Sequence, residues 1–173
     1  HIHSRLAPGA PFTLLGYSFG GLLALELALE LEAEGQEGHL YLVDSAPDFM
    51  KARLEYSTGS NKEQFETNLI CSMFNAIAPY ETTAAAVNKV PYLAQEITLL
   101  KSWDDKLDHL LASLPMLKEK TEYYKAVGKA VFVRLKAVAG YEWNHNKRIK
   151  SPTILLRSTS EVLRAEEDYG LSK

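Results

Sequence analysis

Apolar and polar positions near the start of the chain follow two different periods. Residues 12–17 form a short apolar run, FTLLGY, which is typical of a buried strand. Residues 21–34 are rich in Leu, Ala and Glu, and the leucines and glutamates each recur at helical spacing. The leucines are Leu22, Leu25 and Leu29, and the glutamates are Glu26, Glu30 and Glu34. This pattern predicts an amphipathic helix directly after the strand.

A second apolar run, HLYLVDSAP at residues 39–47, follows the glycines that mark the end of this helix. Asp44 and Pro47 interrupt the run, so the strand is expected to end close to Asp44. Strand, helix and strand in succession predict a βαβ unit. Such a unit implies a parallel sheet with a right-handed crossover.

The central region, residues 48–150, contains one helical pattern after another, separated by polar breaks. Strand composition returns with SPTILLR at residues 151–157. We therefore predict an α/β fold whose parallel-sheet core contains residues 1–47 and 151–173, with residues 48–150 as a helical insertion. Three short strands make a small parallel sheet for an insertion of this size. We therefore expect a single domain that is incomplete at both ends.

Composition and charge exclude several classes of protein. With 46% hydrophobic and 24% charged residues, the chain is typical of a soluble globular protein. The formal charge of -3 argues against a nucleic-acid partner. No apolar stretch approaches the roughly 20 residues that a membrane span needs, and no signal segment is visible. Cys71 is the single cysteine, which excludes an internal disulfide and a multi-cysteine metal site and suits the cytosol.

The sequence between the first strand and the helix, Gly16-Tyr17-Ser18-Phe19-Gly20, fits the G-x-S-x-G pattern of a nucleophile elbow. Glycines on both sides of the serine let the backbone fold back sharply. The turn raises the Ser18 hydroxyl above the sheet and aims the Phe19 backbone N–H at the oxyanion of acyl transfer. The alternative is a glycine-rich turn with an incidental serine. The strand before it and the helix after it favour Ser18 as a nucleophile and Phe19 as an oxyanion-hole donor.

GYSFGG, the helix after it and LYLVDSAP together resemble the thioesterase domain at the C-terminal end of animal-type, insect-like fatty acid synthases. SPTILLR and DYGLSK resemble downstream segments of that family, whereas the central helices resemble it loosely. The resemblance implies an α/β-hydrolase fold with a helical cap that forms an acyl groove. It also implies hydrolysis of a long-chain acyl thioester, mainly palmitoyl, held on the phosphopantetheine arm of an acyl carrier domain in the same polypeptide. A homodimeric, cytoplasmic parent synthase, with no cofactor in this domain, is implied as well.

The resemblance assigns the acid of a catalytic triad to Asp44, at the end of the second strand in a D-x-x-P setting. Many α/β-hydrolases instead place this acid one strand later. The candidates at that position are Glu161, Glu166, Glu167 and Asp168. A third interpretation is that Asp44 caps a helix that begins near Pro47. The family match favours the triad role for Asp44.

The general base is expected to follow both the acid and the last strand. The five histidines are His1, His3, His39, His109 and His145. His145 alone has a loop setting after Asp44, but it precedes residues 151–157, whereas the base of the family comes well after that strand. We interpret His145 as an exposed loop residue. We therefore expect the catalytic histidine to lie outside this chain, and the chain alone to have negligible activity.

A long acyl chain needs an apolar channel, because each buried methylene contributes about 0.8 kcal/mol. The resemblance favours Phe74 and Phe132 in the central region as substrate-binding residues, although aromatics at helical spacing are also typical of a core. Tyr17, beside the nucleophile, is expected to contact the acyl head. Two other functions fit the sequence. One is oxygen-ester hydrolysis by a carboxylesterase or lipase, and the other is acyl binding by a module with a vestigial serine.

Overall fold

The computed structural model of this chain describes residues 9–59, 61, 64–81, 90–144, 146–158 and 168–171. The chain divides into two compact units. The sheet unit comprises His1–Arg53 and Val138–Lys173, and the helical unit comprises Leu54–Ala137. Both unit boundaries fall within the span, residues 48–150, that the sequence assigns to the helical insertion.

The sheet unit contains the three strands that the sequence predicts. They are β1 (Phe12–Tyr17), β2 (Gly38–Val43) and β3 (Thr153–Leu156), in the order β1-β2-β3. β2 pairs in parallel with both neighbours, and the register with β1 runs from Phe12↔Gly38 to Tyr17↔Val43. Helix α1 (Phe19–Ala33) connects β1 to β2. The predicted βαβ unit and the parallel sheet are therefore confirmed.

One face of this sheet packs against α1. Phe12, Leu40 and Leu42 share that face by register and are buried. From the helix, Leu25 and Leu31 are buried as well, and full burial of such a side chain contributes about 1.5–3 kcal/mol. On the opposite face, apolar side chains of the edge strands remain exposed, among them Leu15, Tyr17, Ile154 and Leu156. The core of the sheet unit therefore lies on the α1 side.

Two polar contacts fix other parts of the sheet unit to α1. The Glu32 carboxylate accepts hydrogen bonds from the Lys150 and Ser151 backbone N–H groups and from the Ser151 hydroxyl, which lie at the entrance to β3. The Tyr141 hydroxyl donates to Glu26 at 2.5 Å. Burial, followed by the bond to Glu26 and its charge, raises the pKa of Tyr141 well above its usual range, so the phenol stays protonated. These contacts are side-chain links between segments more than 100 positions apart in sequence.

Helices occupy most of the chain between β2 and β3, as the sequence predicts. They are α2 (Pro47–Thr58), α3 (Phe65–Glu81), α4 (Val90–Thr98), α5 (Trp103–Ala112), a 3-10 helix (Pro115–Lys120) and α6 (Thr121–Gly140). Ser102 caps α5, and its hydroxyl oxygen accepts a hydrogen bond from the Asp105 N–H. Within the described parts of the chain, no helix is long and apolar enough to cross a membrane.

The helical unit has its own apolar core. Its buried members include Leu69, Ile70, Phe74, Leu93, Ile97, Trp103, Leu107, Leu110, Leu111, Leu114, Leu117 and Tyr124. A buried ammonium group, Lys106 Nζ, lies beside this core and pairs with Glu66 at 2.9 Å. Removing Glu66 would leave the buried Lys106 ammonium without this partner in a poorly solvated position. Four leucines of this core, Leu107, Leu110, Leu111 and Leu114, recur at helical spacing in the sequence.

Candidate active site

Ser18 lies between the last residue of β1 and the first residue of α1, and its backbone is strained. Its φ is 52° and its ψ is −123°, a combination that residues other than glycine seldom adopt. Such a conformation costs on the order of 1–3 kcal/mol and persists only where the surrounding structure enforces it. The half-buried serine therefore occupies a turn that the sequence and packing around it must maintain.

Three hydrogen bonds hold the backbone of Ser18. Its N–H donates to the carbonyl oxygen of Val43 at 3.0 Å, which extends the β1–β2 ladder by one position. Its own carbonyl oxygen accepts from the Gly21 N–H at 2.9 Å and from the Ser45 hydroxyl at 2.7 Å. Ser45 is fully buried. The turn is thus fixed to the end of the neighbouring strand from two sides.

Glycine is required at two positions around this turn, and one of them differs from the sequence interpretation. A Cβ atom at Gly16 would lie 2.4 Å from the Gly21 Cα, and a Cβ atom at Gly21 would lie 2.2 Å from the Ser45 Oγ. At Gly20, the second glycine of G-x-S-x-G, a Cβ atom would meet nothing within 4 Å among the described residues. The tight glycine after Ser18 is therefore Gly21, because strand β1 and Ser45 approach the helix at that position.

Phe19 is the first residue of α1. The first N–H groups of a helix have no partner within the helix, and the positive end of the helix dipole lies beside them. This is a suitable position for a donor to a developing oxyanion, which is the role predicted for the Phe19 N–H. Tyr17, on the other side of Ser18, is 66% exposed. Its contact with the acyl head stays a prediction.

Asp44 lies at the carboxyl end of β2, next to the position of Ser18. Tyr17 pairs with Val43, so Ser18 and Asp44 each follow one member of this pair at the same edge of the sheet. Asp44 also has a positive φ, 46°, and its N–H donates to the Leu156 carbonyl oxygen at 2.9 Å. The carboxyl edge of a parallel sheet is where α/β proteins bind their ligands.

The Asp44 carboxylate is held by the segment that follows β3. Its Oδ1 accepts a 2.6 Å hydrogen bond from the Ser158 N–H and a 3.1 Å bond from the Tyr169 hydroxyl. The Tyr169 ring stacks on Phe49, with centroids 3.7 Å apart, and the Arg157 guanidinium lies 4.8 Å from its centroid. Among the described contacts of this carboxylate, none reaches the first turn of α2. The geometry therefore favours a positioned carboxylate over the helix cap.

No sequence pattern predicts Ser45, Ser158 or Tyr169 as parts of this candidate site. Tyr169 lies within DYGLSK and Ser45 within LYLVDSAP, the segments that carry the family resemblance. Neither residue belongs to a motif with its own mechanism. Their roles depend on contacts between segments separated by 27 and 125 positions, which no local pattern reveals.

The alternative acids are only partly described. Asp168 Oδ1 accepts a 2.9 Å hydrogen bond from the Gly170 N–H, a local turn contact that many aspartates make. The other candidates of the later position lie outside the described residues, and they are Glu161, Glu166 and Glu167. The assignment of the acid to Asp44 stays a prediction, now with a defined set of hydrogen bonds around it.

Two of the five histidines lie among the described residues. His39 is at the amino end of β2, and the five residues to Asp44 span about 16 Å of strand, so it is remote from the Asp44 carboxylate. His109 belongs to the helical unit and contacts Glu96 at 2.8 Å. The remaining histidines, His1, His3 and His145, lie outside the described residues. The absence of the catalytic base from this chain stays an expectation.

Both aromatic residues predicted to bind substrate lie within the helical unit. Phe74 is 4% exposed and belongs to its core, while Phe132 is half-buried and stacks on Trp103 with centroids 4.2 Å apart. Their observed contacts are therefore packing contacts. Acyl binding by either residue stays a prediction. Within the described residues, no cluster of three or more His, Cys, Asp or Glu side chains could hold a metal ion.

The fold and this edge of the sheet define a class of protein. A strained serine in the turn between a parallel strand and a helix is the arrangement of the nucleophile elbow in the α/β-hydrolase fold. Comparison with protein families agrees, since residues 1–139 match the thioesterase domain family. The chain therefore belongs to that family.

Individual relatives are similar over part of the chain. Vanchrobactin synthetase VabF of Vibrio anguillarum is 40% identical over 69 residues, covering 35% of this chain and 2% of the relative. Malpinin synthetase of Mortierella alpina is 39% identical over 61 residues, covering 35% and 1%. Inactive atromentin synthetase invA4 of Paxillus involutus is 27% identical over 128 residues, covering 73% and 12%. The chain thus spans a small part of each of these relatives.

These comparisons support a narrower statement than the sequence resemblance does. All three relatives are named as synthetases, and none is named as a fatty acid synthase. The thioesterase domain is therefore established. These relatives do not establish that the domain is part of a fatty acid synthase.

Proposed function

We propose that this thioesterase domain hydrolyses an acyl thioester through a covalent acyl intermediate on Ser18. The observation that carries the proposal is the backbone of Ser18, held at φ 52° between β1 and α1 by bonds to Val43, Gly21 and Ser45. Strain of this kind is characteristic of catalytic residues. The family match supports thioester hydrolysis as the reaction.

In the proposed reaction, the Ser18 Oγ attacks the thioester carbonyl carbon while its proton passes to a histidine base. The carbonyl oxygen becomes an oxyanion beside the Phe19 N–H and the amino end of α1. The tetrahedral intermediate collapses, the C–S bond breaks, and the thiolate leaves with the proton from the base. Water then attacks the acyl–Ser18 ester by the same route and releases the carboxylic acid.

In this mechanism, Asp44 orients the histidine and stabilises its protonated form. The Ser158 N–H and the Tyr169 hydroxyl both bind Oδ1 of Asp44. This arrangement leaves Oδ2 as the oxygen that accepts the N–H of the base. The histidine itself is assigned to a segment outside the described residues.

The proposed partner is an acyl carrier domain in the same, longer polypeptide. The relatives are synthetases of which this chain covers 12% or less, so the family member is one part of a multidomain protein in each of them. A carrier domain would present the acyl group on its phosphopantetheine thiol. We propose that the domain itself needs no bound cofactor.

For the acyl group, we propose a long-chain fatty acyl group such as palmitoyl, within a homodimeric fatty acid synthase. This finer proposal rests on the resemblance of GYSFGG, LYLVDSAP, SPTILLR and DYGLSK to the synthase thioesterase. The names of two relatives point to vanchrobactin and malpinin as products of those proteins, and the third relative is named as an inactive atromentin synthetase. An acyl group of that kind is the competing outcome of the substrate test.

The test uses the purified natural polypeptide that contains this domain, with thiol release measured on palmitoyl, octanoyl and aminoacyl thioesters. Ser18→Ala is expected to reduce hydrolysis of the preferred thioester by at least about a thousandfold. Ser113→Ala, which removes a hydroxyl in the helical unit, is the control and should leave the rate unchanged. Activity that survives in Ser18→Ala would overturn the proposed mechanism. Faster hydrolysis of matched oxygen esters would favour a carboxylesterase instead.

A further inference from the structure

We propose that Ser45 is a positioning residue that orients the oxyanion-hole peptide of this active site. Its hydroxyl donates a 2.7 Å hydrogen bond to the carbonyl oxygen of Ser18, and the residue is completely buried. Ser45 does not contact substrate in this assignment. The inference rests on the proposed function, because the group that it orients is the predicted oxyanion donor.

The link from Ser45 to the oxyanion is the peptide bond between Ser18 and Phe19. The Ser18 carbonyl and the Phe19 N–H belong to this one planar group, and the described chain has no cis peptide bonds. In a trans peptide the C=O and N–H bonds point in opposite directions. A hydrogen bond that fixes the direction of the Ser18 carbonyl therefore also fixes the direction in which the Phe19 N–H points.

This peptide needs an external anchor because of the conformation of Ser18. The angle that rotates the peptide is the ψ of Ser18, −123°, which accompanies a φ in the left-handed range. The Gly21 N–H also binds the Ser18 carbonyl oxygen, but Gly21 belongs to the same helical turn and moves with it. Ser45 belongs to the segment that follows β2. It is the bond from Ser45 that ties the orientation of the peptide to the sheet.

Packing fixes the Ser45 hydroxyl itself. The Ser45 Oγ and Cβ lie 2.2 and 2.3 Å from the position that a Cβ atom on Gly21 would occupy, so the missing side chain of Gly21 makes room for this serine. A donor on the carbonyl also polarises the peptide and strengthens its N–H as a donor. Orientation and polarisation both favour the oxyanion over the neutral ground-state carbonyl.

The test measures kcat and KM for Ser45→Ala in the natural polypeptide. We expect kcat to fall about tenfold, less than the loss of an oxyanion donor itself, with KM within about twofold of the wild-type value. Ser151→Ala is the matched control. Ser151 is also a buried serine whose hydroxyl donates a short hydrogen bond, to Glu32, but it lies at the opposite edge of the sheet. Its kcat should match the wild type, although both variants lose a buried hydrogen bond.

A second readout separates orientation of the peptide from general damage to the fold. A trifluoromethyl ketone forms a tetrahedral adduct on Ser18 and uses the oxyanion donor, whereas a non-hydrolysable acyl thioether binds as the ground state does. In Ser45→Ala the affinity for the ketone is expected to fall about tenfold, while the thioether binds as tightly as before. An equal loss for both ligands, or an unchanged kcat, would overturn the inference.

If Ser45→Ala does not fold, Ser45→Cys provides a second test that keeps a side chain at this position, with a larger sulfur atom in place of the oxygen. Its thiol is a weak donor, so kcat should fall below the wild-type value. A wild-type kcat in this variant would contradict the inference. Ser18→Ala distinguishes this result from a failure of the proposed function. If Ser18→Ala abolishes turnover while both Ser45 variants are fully active, the proposed mechanism is supported and the proposed role of Ser45 is wrong.

Discussion

The glycines on the helix side of Ser18 differ in what a side chain would meet. At Gly21 a new Cβ would overlap Ser45, while at Gly20 it would meet none of the described residues within 4 Å. The difference arises because Gly21 faces β1 and the end of β2. Both glycines belong to the sequence GYSFGG, so their motif alone does not distinguish them.

We expect Gly21→Ala to destabilise the protein by about 1–3 kcal/mol, since overpacking forces a shift of Ser45 or of the helix. Gly20→Ala is the matched control and should be neutral or stabilising by up to about 1 kcal/mol, because alanine favours helix. Urea denaturation measures both variants. Equal stability of the two variants would contradict the close packing of Gly21 on Ser45.

Tyr169 offers a second prediction at the residue scale. Tyr169→Phe removes the hydroxyl that binds Asp44 and keeps the ring that stacks on Phe49. Loss of a hydrogen bond worth about 1 kcal/mol should lower kcat about fivefold, with KM unchanged, because the carboxylate then holds the base less firmly. Tyr56→Phe, at an exposed tyrosine, is the control. A wild-type kcat in Tyr169→Phe would indicate that Asp44 is not part of the catalytic machinery.

Residue patterns indicated part of this candidate site. Ser18 and Asp44 were both predicted, the first from a spacing that has a mechanism and the second from a family resemblance, and the structure places them at the same edge of the sheet. Ser45 and Tyr169 were missed, because their contacts with Ser18 and Asp44 form only when distant segments pack together. The positive φ of Asp44 was also missed, since an aspartate at the end of a strand gives no sign of it.

At the scale of elements, the strand–helix–strand segment could be predicted almost residue by residue. Two apolar runs predict β1 and β2, and the leucines and glutamates at helical spacing predict α1. The glycines mark the turns between these elements. β3 was located as well, but its position beside β2 is a long-range pairing. The helices between β2 and β3 were predicted as a class. Their individual boundaries depend on packing in the helical unit.

One side chain connects two of these elements across most of the sequence. The Glu32 carboxylate, near the end of α1, binds the chain where it enters β3. Desolvation by burial opposes the charge of Glu32, but the hydrogen bonds from Ser151 and Lys150 outweigh it and lower its pKa. Stability from a carboxylate with a lowered pKa is present above its ordinary pKa and is lost as the pH falls through the lowered value.

Glu32→Gln is therefore expected to cost about 1–2 kcal/mol at pH 7, because the amide replaces a charged acceptor and brings an NH2 donor group to a position where only acceptors fit. The difference from wild type should shrink as the pH falls from about 4.5, the ordinary pKa of a glutamate, through the lowered pKa of the folded carboxyl. Denaturation at pH 7 and pH 3 measures it, with Glu30→Gln on the same helix as control. A difference that stays constant with pH would contradict a charged Glu32 in the folded state.

The two compact units of the molecule differ in how far their roles can be predicted from the sequence. The sheet unit carries the strained serine and the aspartate beside it, and the family match extends through residue 139 into both units. The helical unit has a separate apolar core of leucines and aromatics. Its fold class follows from periodicity, whereas a role in acyl binding depends on which apolar side chains a ligand reaches. Periodicity cannot distinguish a core phenylalanine from one that contacts substrate.

The choice of substrate also depends on the molecule as a whole. In the proposed function, the turn at Ser18 supplies the chemistry of acyl transfer, and the family match supports a thioester as the substrate. The identity of the acyl group is set by surfaces beyond Ser18 and Asp44. This is why the same motif is compatible with two acyl groups. The sequence resemblance favours a fatty acyl group, whereas the names of the relatives favour the acyl group of another synthetase product.

The central claim is that Ser18 carries the acyl group during turnover. The most direct test mixes the natural polypeptide with a palmitoyl thioester, quenches the reaction in acid within milliseconds, and maps the acyl adduct by peptide mass spectrometry. We predict one acyl group on the peptide that contains Ser18, and no adduct in Ser18→Ala. An adduct on another residue such as Cys71, or thiol release without any adduct at Ser18, would contradict the account.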